Sequence, residues 1–253
     1  MLSRRTREQA IELMKAVNAG VVRLFSPGGA AMLEEGIAAL SAIRDICRQE
    51  LSAERFGFYR DATDTLHTAL KRLQADGESD IAELCHQLLE GLIRELRTEP
   101  VKKEIVFLPY KASMWDSLES IWQAAAADKE HCNAYVIPIP YADLTPEHTA
   151  KEWHIEKELF PAYVPVIDFR SVDLEKLHPD VIFIHNPYDW ANHVTSVDAR
   201  YYSEQLKKYT DKLVYVPYFN AGDSATEGVC QAPGIVNADY VIVESDPIRN
   251  QYE

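Results

Sequence analysis

The chain has 253 residues, 47% of them hydrophobic, enough to bury a core and to exclude a globally disordered protein. Its formal net charge of -14 excludes non-specific nucleic-acid binding, which depends on neutralising phosphates. No apolar run approaches the roughly 20 residues that a membrane span needs, and no long apolar region follows the basic start MLSRRTREQA, so neither a span nor a signal peptide is expected.

The charge is uneven. Residues 1–100 carry 13 Lys+Arg and 16 Asp+Glu, a net of -3, whereas residues 101–253 carry 13 and 24, a net of -11. That asymmetry argues for two regions of different character. Cys47, Cys85, Cys132 and Cys230 are far apart, without a C-x-x-C pair, and read as reduced thiols of a cytoplasmic protein.

Residues 1–99 carry helical periodicity throughout. Thr6, with Gln9 three residues on, has the capping-box pattern and is expected to start the first helix. Ile11, Met14, Val17, Val21 and Leu24 follow at helical spacing, until Ser26-Pro27-Gly28-Gly29 interrupts them. That glycine pair lacks a phosphate-loop spacing and reads as an interhelical turn. A second helix carries Met32 to Cys47 and a third covers Phe56 to Leu73. Ser79 is expected to cap a fourth, with Ile81, Leu84, Leu88, Leu92 and Leu96 on its apolar stripe. The expectation is a bundle or a set of helical hairpins.

At Glu99-Pro100 the pattern changes to strands alternating with helices, so the expected domains are 1–99 and 100–253. Strands are expected at Ile105–Leu108, Ala134–Ile139, Val164–Phe169, Val181–Ile184, Leu213–Val216 and Tyr240–Val243. Helices are expected at Trp115–Ala127, Val172–Leu177, Asp198–Tyr209 and from Pro247 onward. The polar stretch from Ala142 to Phe160 reads as a long loop, of the kind that often carries function. The expected fold class is α/β: an all-α region followed by a Rossmann-like, doubly wound parallel sheet. In such sheets ligands bind at the carboxyl ends of the strands.

Four expected strand ends carry Pro-Tyr, which places Tyr110, Tyr141, Tyr188 and Tyr218 at that edge. Each tyrosine alone caps the core as readily as it meets a ligand; as a set they are expected to line a crevice. His185 follows the apolar run Val181–Ile184 and is the candidate for proton transfer, since its ordinary pKa lies near neutrality. Asp189 either orients it or is itself the base. The alternative is a buried, hydrogen-bonded histidine. Asn186 and Asn220 are candidates for sugar or phosphate oxygens, and Lys111 and Arg200 for phosphate, or else for solvated surface charge. His154 and His193 lie in expected loops and receive no role. No residue grouping has metal-ligand spacing, and no G-x-S-x-G elbow is present.

The runs KKEIVFLPYKASMWDSLESIW, YVIPIPY and DVIFIHNPYDWANHVTSVDARYYSEQLKKYTDKLVYVPYF resemble bacterial proteins of the CDP-glycerol glycerophosphotransferase, or teichoic-acid-polymerase-like, family. The resemblance covers roughly residues 100–253. It implies a GT-B fold, whose amino-terminal Rossmann-like domain binds a small-molecule or glycan acceptor. A second domain binds CDP-glycerol, glycerol phosphate passes to an acceptor hydroxyl with CMP leaving, and no other cofactor takes part. Better-known members carry a Trp-His-Gly run that this chain lacks, so either His185 or the YVPYFN segment is expected at the comparable edge. The chain is expected to be an amino-terminal half, inactive or nearly so alone. It has no membrane span; peripheral membrane association, and a homodimer through an exposed helical stripe, fit the same reading. The competing expectation is a non-catalytic ligand-binding or regulatory module whose helices mediate association. A free-standing flavodoxin-like enzyme is a third, weakened by the missing phosphate loop.

Overall fold

The computed structural model describes residues 1–24, 28–220 and 227–252. The chain divides into two compact units, Met1–Lys102 and Lys103–Glu253, in place of the expected boundary at 99/100.

In the first unit the short strand β1 (Leu2–Ser3) leads into α1 (Arg4–Val21), followed by α2 (Gly29–Glu50), α3 (Ala53–Asp76) and α4 (Ser79–Thr98). Consecutive helices are neighbours and α4 returns to α1, the ring of an up-and-down bundle. Ile11, Met14, Leu40, Ile43, Leu66, Leu73, Leu89 and Leu96 fill its core. Ser3, not Thr6, caps α1: its hydroxyl accepts from the Thr6 N–H at 3.0 Å. Thr6 instead donates to Glu50, whose carboxylate also accepts from the Ser3 N–H. Ser79 is likewise not a cap but the first residue of α4. Gly77, at φ 71°, ends α3 in the left-handed conformation that a side chain disfavours. Of the expected interhelical breaker, Ser26 and Pro27 lie outside the described residues, and Gly28 precedes α2 at φ 99°.

Glu99 is buried beyond the end of α4. It accepts from Arg55 Nε at 2.7 Å and from the hydroxyl of fully buried Tyr59 at 3.0 Å. Burial, and then the Glu99 charge, push the Tyr59 hydroxyl pKa up. Glu99→Ala strands that hydroxyl, and a loss of about 2 kcal/mol is expected in denaturant unfolding. An unchanged midpoint contradicts this role. Val101 and Lys102, the first residues of β2 (Val101–Leu108), pair in parallel with β1.

From Lys103 the second unit alternates as a parallel α/β protein. After β2 come α5 (Asp116–Ala127), β3 (Cys132–Val136), β4 (Tyr141–Leu144), β5 (Ala150–His154), α6 (Leu174–Leu177), β6 (Val181–Ile184), β7 (Thr195–Val197), α7 (Ser203–Leu206) and β8 (Lys212–Tyr215). The short α8 (Glu227–Cys230) and α9 (Pro233–Val236) precede β9 (Tyr240–Val241) and α10 (Asp246–Tyr252). The sheet runs β3-β2-β6-β8-β9, with every neighbouring pair parallel, among the described residues. Alternate residues face separate cores. Val106, Ile182, Leu213 and Tyr215 pack with Phe169, Leu206 and Ile235, while Phe107 and Val214 pack with Trp115, Leu118 and Trp122. Both faces of the sheet are therefore covered, as parallel strands require.

Three expectations fail for local reasons. Val164–Phe169 forms no strand, because Pro165 interrupts the ladder; a single bridge, Val136 to Val166, remains. The expected long loop from Ala142 holds β4 and β5, which pair antiparallel and, with β7, make a separate small sheet. The expected helix Asp198–Tyr209 splits into a 3-10 turn and α7, because Tyr202 between them is extended, at φ -64° and ψ 143°.

The order of the main sheet fixes where a crevice opens. The chain steps from β2 to β3 on one side, then crosses to β6 on the other, so the connections leave β2 and β6 in opposite directions. Ligands of open α/β sheets bind at such a switch point.

Candidate functional site

The residues after β2 are Pro109-Tyr110-Lys111, and those after β6 are His185-Asn186-Pro187-Tyr188. They meet at the switch point. The His185 Nε2 accepts from the Tyr110 backbone N–H at 3.1 Å, and its Nδ1 lies 3.2 Å from Ser117 Oγ. Ser117 gives its proton to the Met114 carbonyl, so Nδ1 carries the imidazole proton and donates to the hydroxyl. His185 is fully buried, and burial lowers its pKa to about 4. It is thus a neutral ring with both nitrogens engaged, and its only basic lone pair is filled by a backbone N–H. This matches the alternative reading of a buried, hydrogen-bonded histidine.

The four tyrosines of the Pro-Tyr motifs collect here. The Tyr110 ring meets Tyr141 edge-on at 5.4 Å and His185 at 5.3 Å, and His185 meets Tyr218 at 6.0 Å. Burial pushes the Tyr110 and Tyr218 hydroxyl pKa values up, and the neighbouring Tyr188 adds to both. Tyr110 and Tyr141 are buried, while Tyr188 and Tyr218 are partly exposed. The Tyr141 hydroxyl donates to Glu156 Oε1 at 2.5 Å, and the other Glu156 oxygen accepts from the Ala112 N–H at 2.7 Å. Glu156 therefore fastens the loop after β2 to β4.

Lys111 follows Tyr110 at the rim. Its ammonium stands 5.6 Å from the Tyr110 ring centre and 5.0 Å from that of Tyr141. Among the described residues it has no ion pair and no hydrogen bond. At the carboxyl ends of β8 and β9, a cavity of about 320 Å³ is lined by Asp116, Ser117, Tyr218, Asn220 and Glu244. Ser117 and Tyr218 belong to both the cavity wall and the surroundings of His185.

Other expected site residues turn elsewhere. Asp189 is buried and left-handed, at φ 46°, and binds the Ser203 N–H at 2.8 Å and the Ser203 hydroxyl at 2.5 Å. Its partner is the start of α7 rather than His185. Burial raises its pKa to about 6, with the Ser203 bonds acting in the opposite direction. Asn186 accepts from the Tyr188 N–H at 3.4 Å and shapes its own turn. Arg200 grips Asp198 through Nε and Nη2 at 2.9 and 3.0 Å and lines a different cavity, of about 630 Å³.

Several residues escaped the sequence reading. Ser117 and Glu156 acquire their roles only when separate loops meet. Gly234 in α9 donates its N–H to the Pro187 carbonyl at 2.7 Å, so the helix backbone lies against the turn that carries Asn186. One metal-ligand grouping also appears where none was expected: Asp143, Glu152 and His154 place their ligand atoms within 4.8 Å of one another. Pairing of β4 with β5 sets Asp143 opposite Glu152, a neighbourhood that no linear spacing announces.

No helix among the described residues is long and apolar enough to cross a membrane. Comparisons of the chain with protein-family models, with curated proteins and with solved structures give no match.

Proposed function

We propose that the second unit binds a phosphorylated small molecule or glycan at its strand-end edge, as the acceptor side of a transferase resembling the CDP-glycerol glycerophosphotransferases. The observation that carries the reading is Lys111: a cation without an ion-pair partner among the described residues, standing over two tyrosine rings where β2 leaves the sheet. In a unit with a strong acidic excess, such a cation fits the phosphate of an incoming ligand. The tyrosine hydroxyls and Asn220 would hold its hydroxyl groups. On this reading the unit is the Rossmann-like half of a GT-B enzyme, and CDP-glycerol is held by another domain. His185 positions the Tyr110 loop, while the base is a different group. A cytoplasmic setting belongs to the same proposal.

A second reading is favoured by His185 itself. A proton-transfer site needs a free basic nitrogen, and this ring offers none, so a non-catalytic ligand-binding module fits the same edge.

Calorimetric titration with glycerol phosphate, CMP and CDP-glycerol tests the proposal. Saturable binding of glycerol phosphate is expected, weakened about tenfold by Lys111→Ala. Tighter binding of CMP than of glycerol phosphate at this edge, lost in the same variant, would make the unit a nucleotide site instead.

A further inference from the structure

The small sheet brings together three side chains that the strand-end site leaves unused. Asp143 lies on its middle strand, β4, and Glu152 and His154 lie on β5. Glu152 stands directly opposite Asp143 in the ladder, and His154 opposite Tyr141, two residues from Asp143. Alternation along the strands puts all three on one face. Each offers one ligand atom, two carboxylate oxygens and an imidazole nitrogen, and the three atoms lie within 4.8 Å of one another.

For a hairpin alone this arrangement is unfavourable, because like charges directly opposite repel across a ladder. Among the described residues no lysine or arginine pairs with either carboxylate. Lys151, next to Glu152 in sequence, drops out of the ladder. The register shifts between Asp143 and Leu144, so Ala150 rather than Lys151 meets Leu144. The group that does approach is an imidazole, with His154 Nε2 at 3.1 Å from Asp143 Oδ2. Its ring is held in place by Tyr141, centre to centre at 5.0 Å with the planes 30° apart. Tyr141 is itself buried and bound to Glu156. Asp143 pairs with Glu152 on one side and with Thr195 on the other, so its backbone is fixed from both. Two of the three groups thus stand on rigid supports, and the exposed Glu152 closes the set.

We propose that Asp143, Glu152 and His154 bind a divalent transition-metal ion, with Zn²⁺ as the best fit. Zinc takes histidine nitrogen and carboxylate oxygen at about 2.0–2.2 Å, which sets two ligands of one ion about 3.0–3.5 Å apart. The His154–Asp143 pair already has that spacing. An imidazole in the set favours zinc over Mg²⁺ and Ca²⁺, which prefer oxygen alone. The ion neutralises the opposed carboxylates and ties β4 to β5, and three protein ligands leave a fourth position for water or an anion. The inference goes beyond the strand-end reading and does not depend on it.

The test is calorimetric titration of the full chain, freed of metal by a chelator, with Zn²⁺. Saturable binding is expected, at least about tenfold tighter than that of Mg²⁺ or Ca²⁺. Asp143→Asn, Glu152→Gln and His154→Gln should each weaken it by about tenfold or more. The competing zinc ligands are the exposed pair His148 and His193, whose ring nitrogens lie 3.1 Å apart, and the free thiols. His148→Gln combined with His193→Gln should therefore leave the binding unchanged, and the Co²⁺-substituted chain should show no thiolate charge-transfer band. Zn²⁺ should also raise the melting temperature of the parent but not that of Asp143→Asn, a comparison that holds even where the variant is less stable without metal. Absence of saturable Zn²⁺ binding overturns the inference, as does binding that all three single variants leave intact. Loss of binding in the His148/His193 variant alone, or a thiolate band with Co²⁺, overturns it by placing the ion elsewhere. Ca²⁺ binding as tight as that of Zn²⁺ overturns it too, since the carboxylates would then act without His154.

Discussion

Gly234→Ala is expected to destabilise the second unit by about 3 kcal/mol, although alanine favours helices over glycine. A Cβ at this position would stand 2.8 Å from the Pro187 Cα and 3.0 Å from the carbonyl oxygens of Asn186 and Pro187. All three are backbone atoms and none can swing aside. Either α9 retreats from the turn, breaking the 2.7 Å bond from the Gly234 N–H to the Pro187 carbonyl, or the turn itself moves. The second outcome displaces Asn186 and Tyr188, so glycerol phosphate binding should weaken along with stability. Gly57→Ala is the control. Nothing lies within 4 Å of a Cβ there, and the substitution should stabilise α3 by about 0.5–1 kcal/mol. Equal denaturation midpoints for Gly234→Ala and the parent would show that α9 does not press on the turn.

The second large effect is a pair of opposed pH dependences. His185 has a folded pKa of about 4 against an ordinary 6.5, so below 6.5 the unfolded chain binds more protons than the folded one. Its contribution is complete above pH 6.5 and is lost on acidification toward 4, about 3 kcal/mol in all. Asp189 behaves in the reverse sense. Its folded pKa of about 6 exceeds the ordinary 3.8, so the folded chain holds the extra proton between those values. Its contribution is complete below pH 3.8 and is lost as the pH rises to 6, again about 3 kcal/mol. Between pH 4 and 6 the two slopes oppose each other. Asp189→Asn removes one and should leave a variant whose stability climbs steeply with pH over that range. At pH 7 it should exceed the parent by up to about 3 kcal/mol. Asparagine also tolerates the left-handed backbone at this position. His185→Gln removes the other slope, and stability should then fall as the pH rises from 4 to 6. Parallel stability–pH curves for the parent and both variants would contradict the burial of these groups.

Much of the fold could be read from periodicity alone. The helices of the first unit follow their apolar stripes, but their ends do not: α2 and α3 begin at Gly29 and Ala53, ahead of the first large apolar residues Met32 and Phe56, and Ser79 starts α4 rather than capping it. Ser3 caps α1 while Glu50, from the end of α2, holds both the Ser3 N–H and the Thr6 hydroxyl, a contact that a local pattern cannot show. The buried strands β2, β6 and β8 announce themselves as short apolar runs. β5 does not, because Ala150, Lys151, Glu152 and Trp153 are all exposed and the stretch carries no core-facing alternation. With that hairpin went the grouping of Asp143, Glu152 and His154 and the open face of Trp153. The proline-tyrosine repeats did point to one edge, because proline ends a strand and parallel strands end together. The sequence could not assign the bonds made there. His185 and Asp189 are four residues apart and chemically suited to each other, yet backbone N–H groups claim both, from Tyr110 and from Ser203.

The bond from the Tyr110 N–H to His185 bears on how a ligand would associate. It ties the loop leaving β2 to the loop leaving β6, and Glu156 ties the former again to β4. The wall of the crevice is thus assembled before anything enters it. A ligand arriving there gives up its own freedom but has little of the protein's to restrain, so entry should proceed as a single bimolecular step without a slow closing phase.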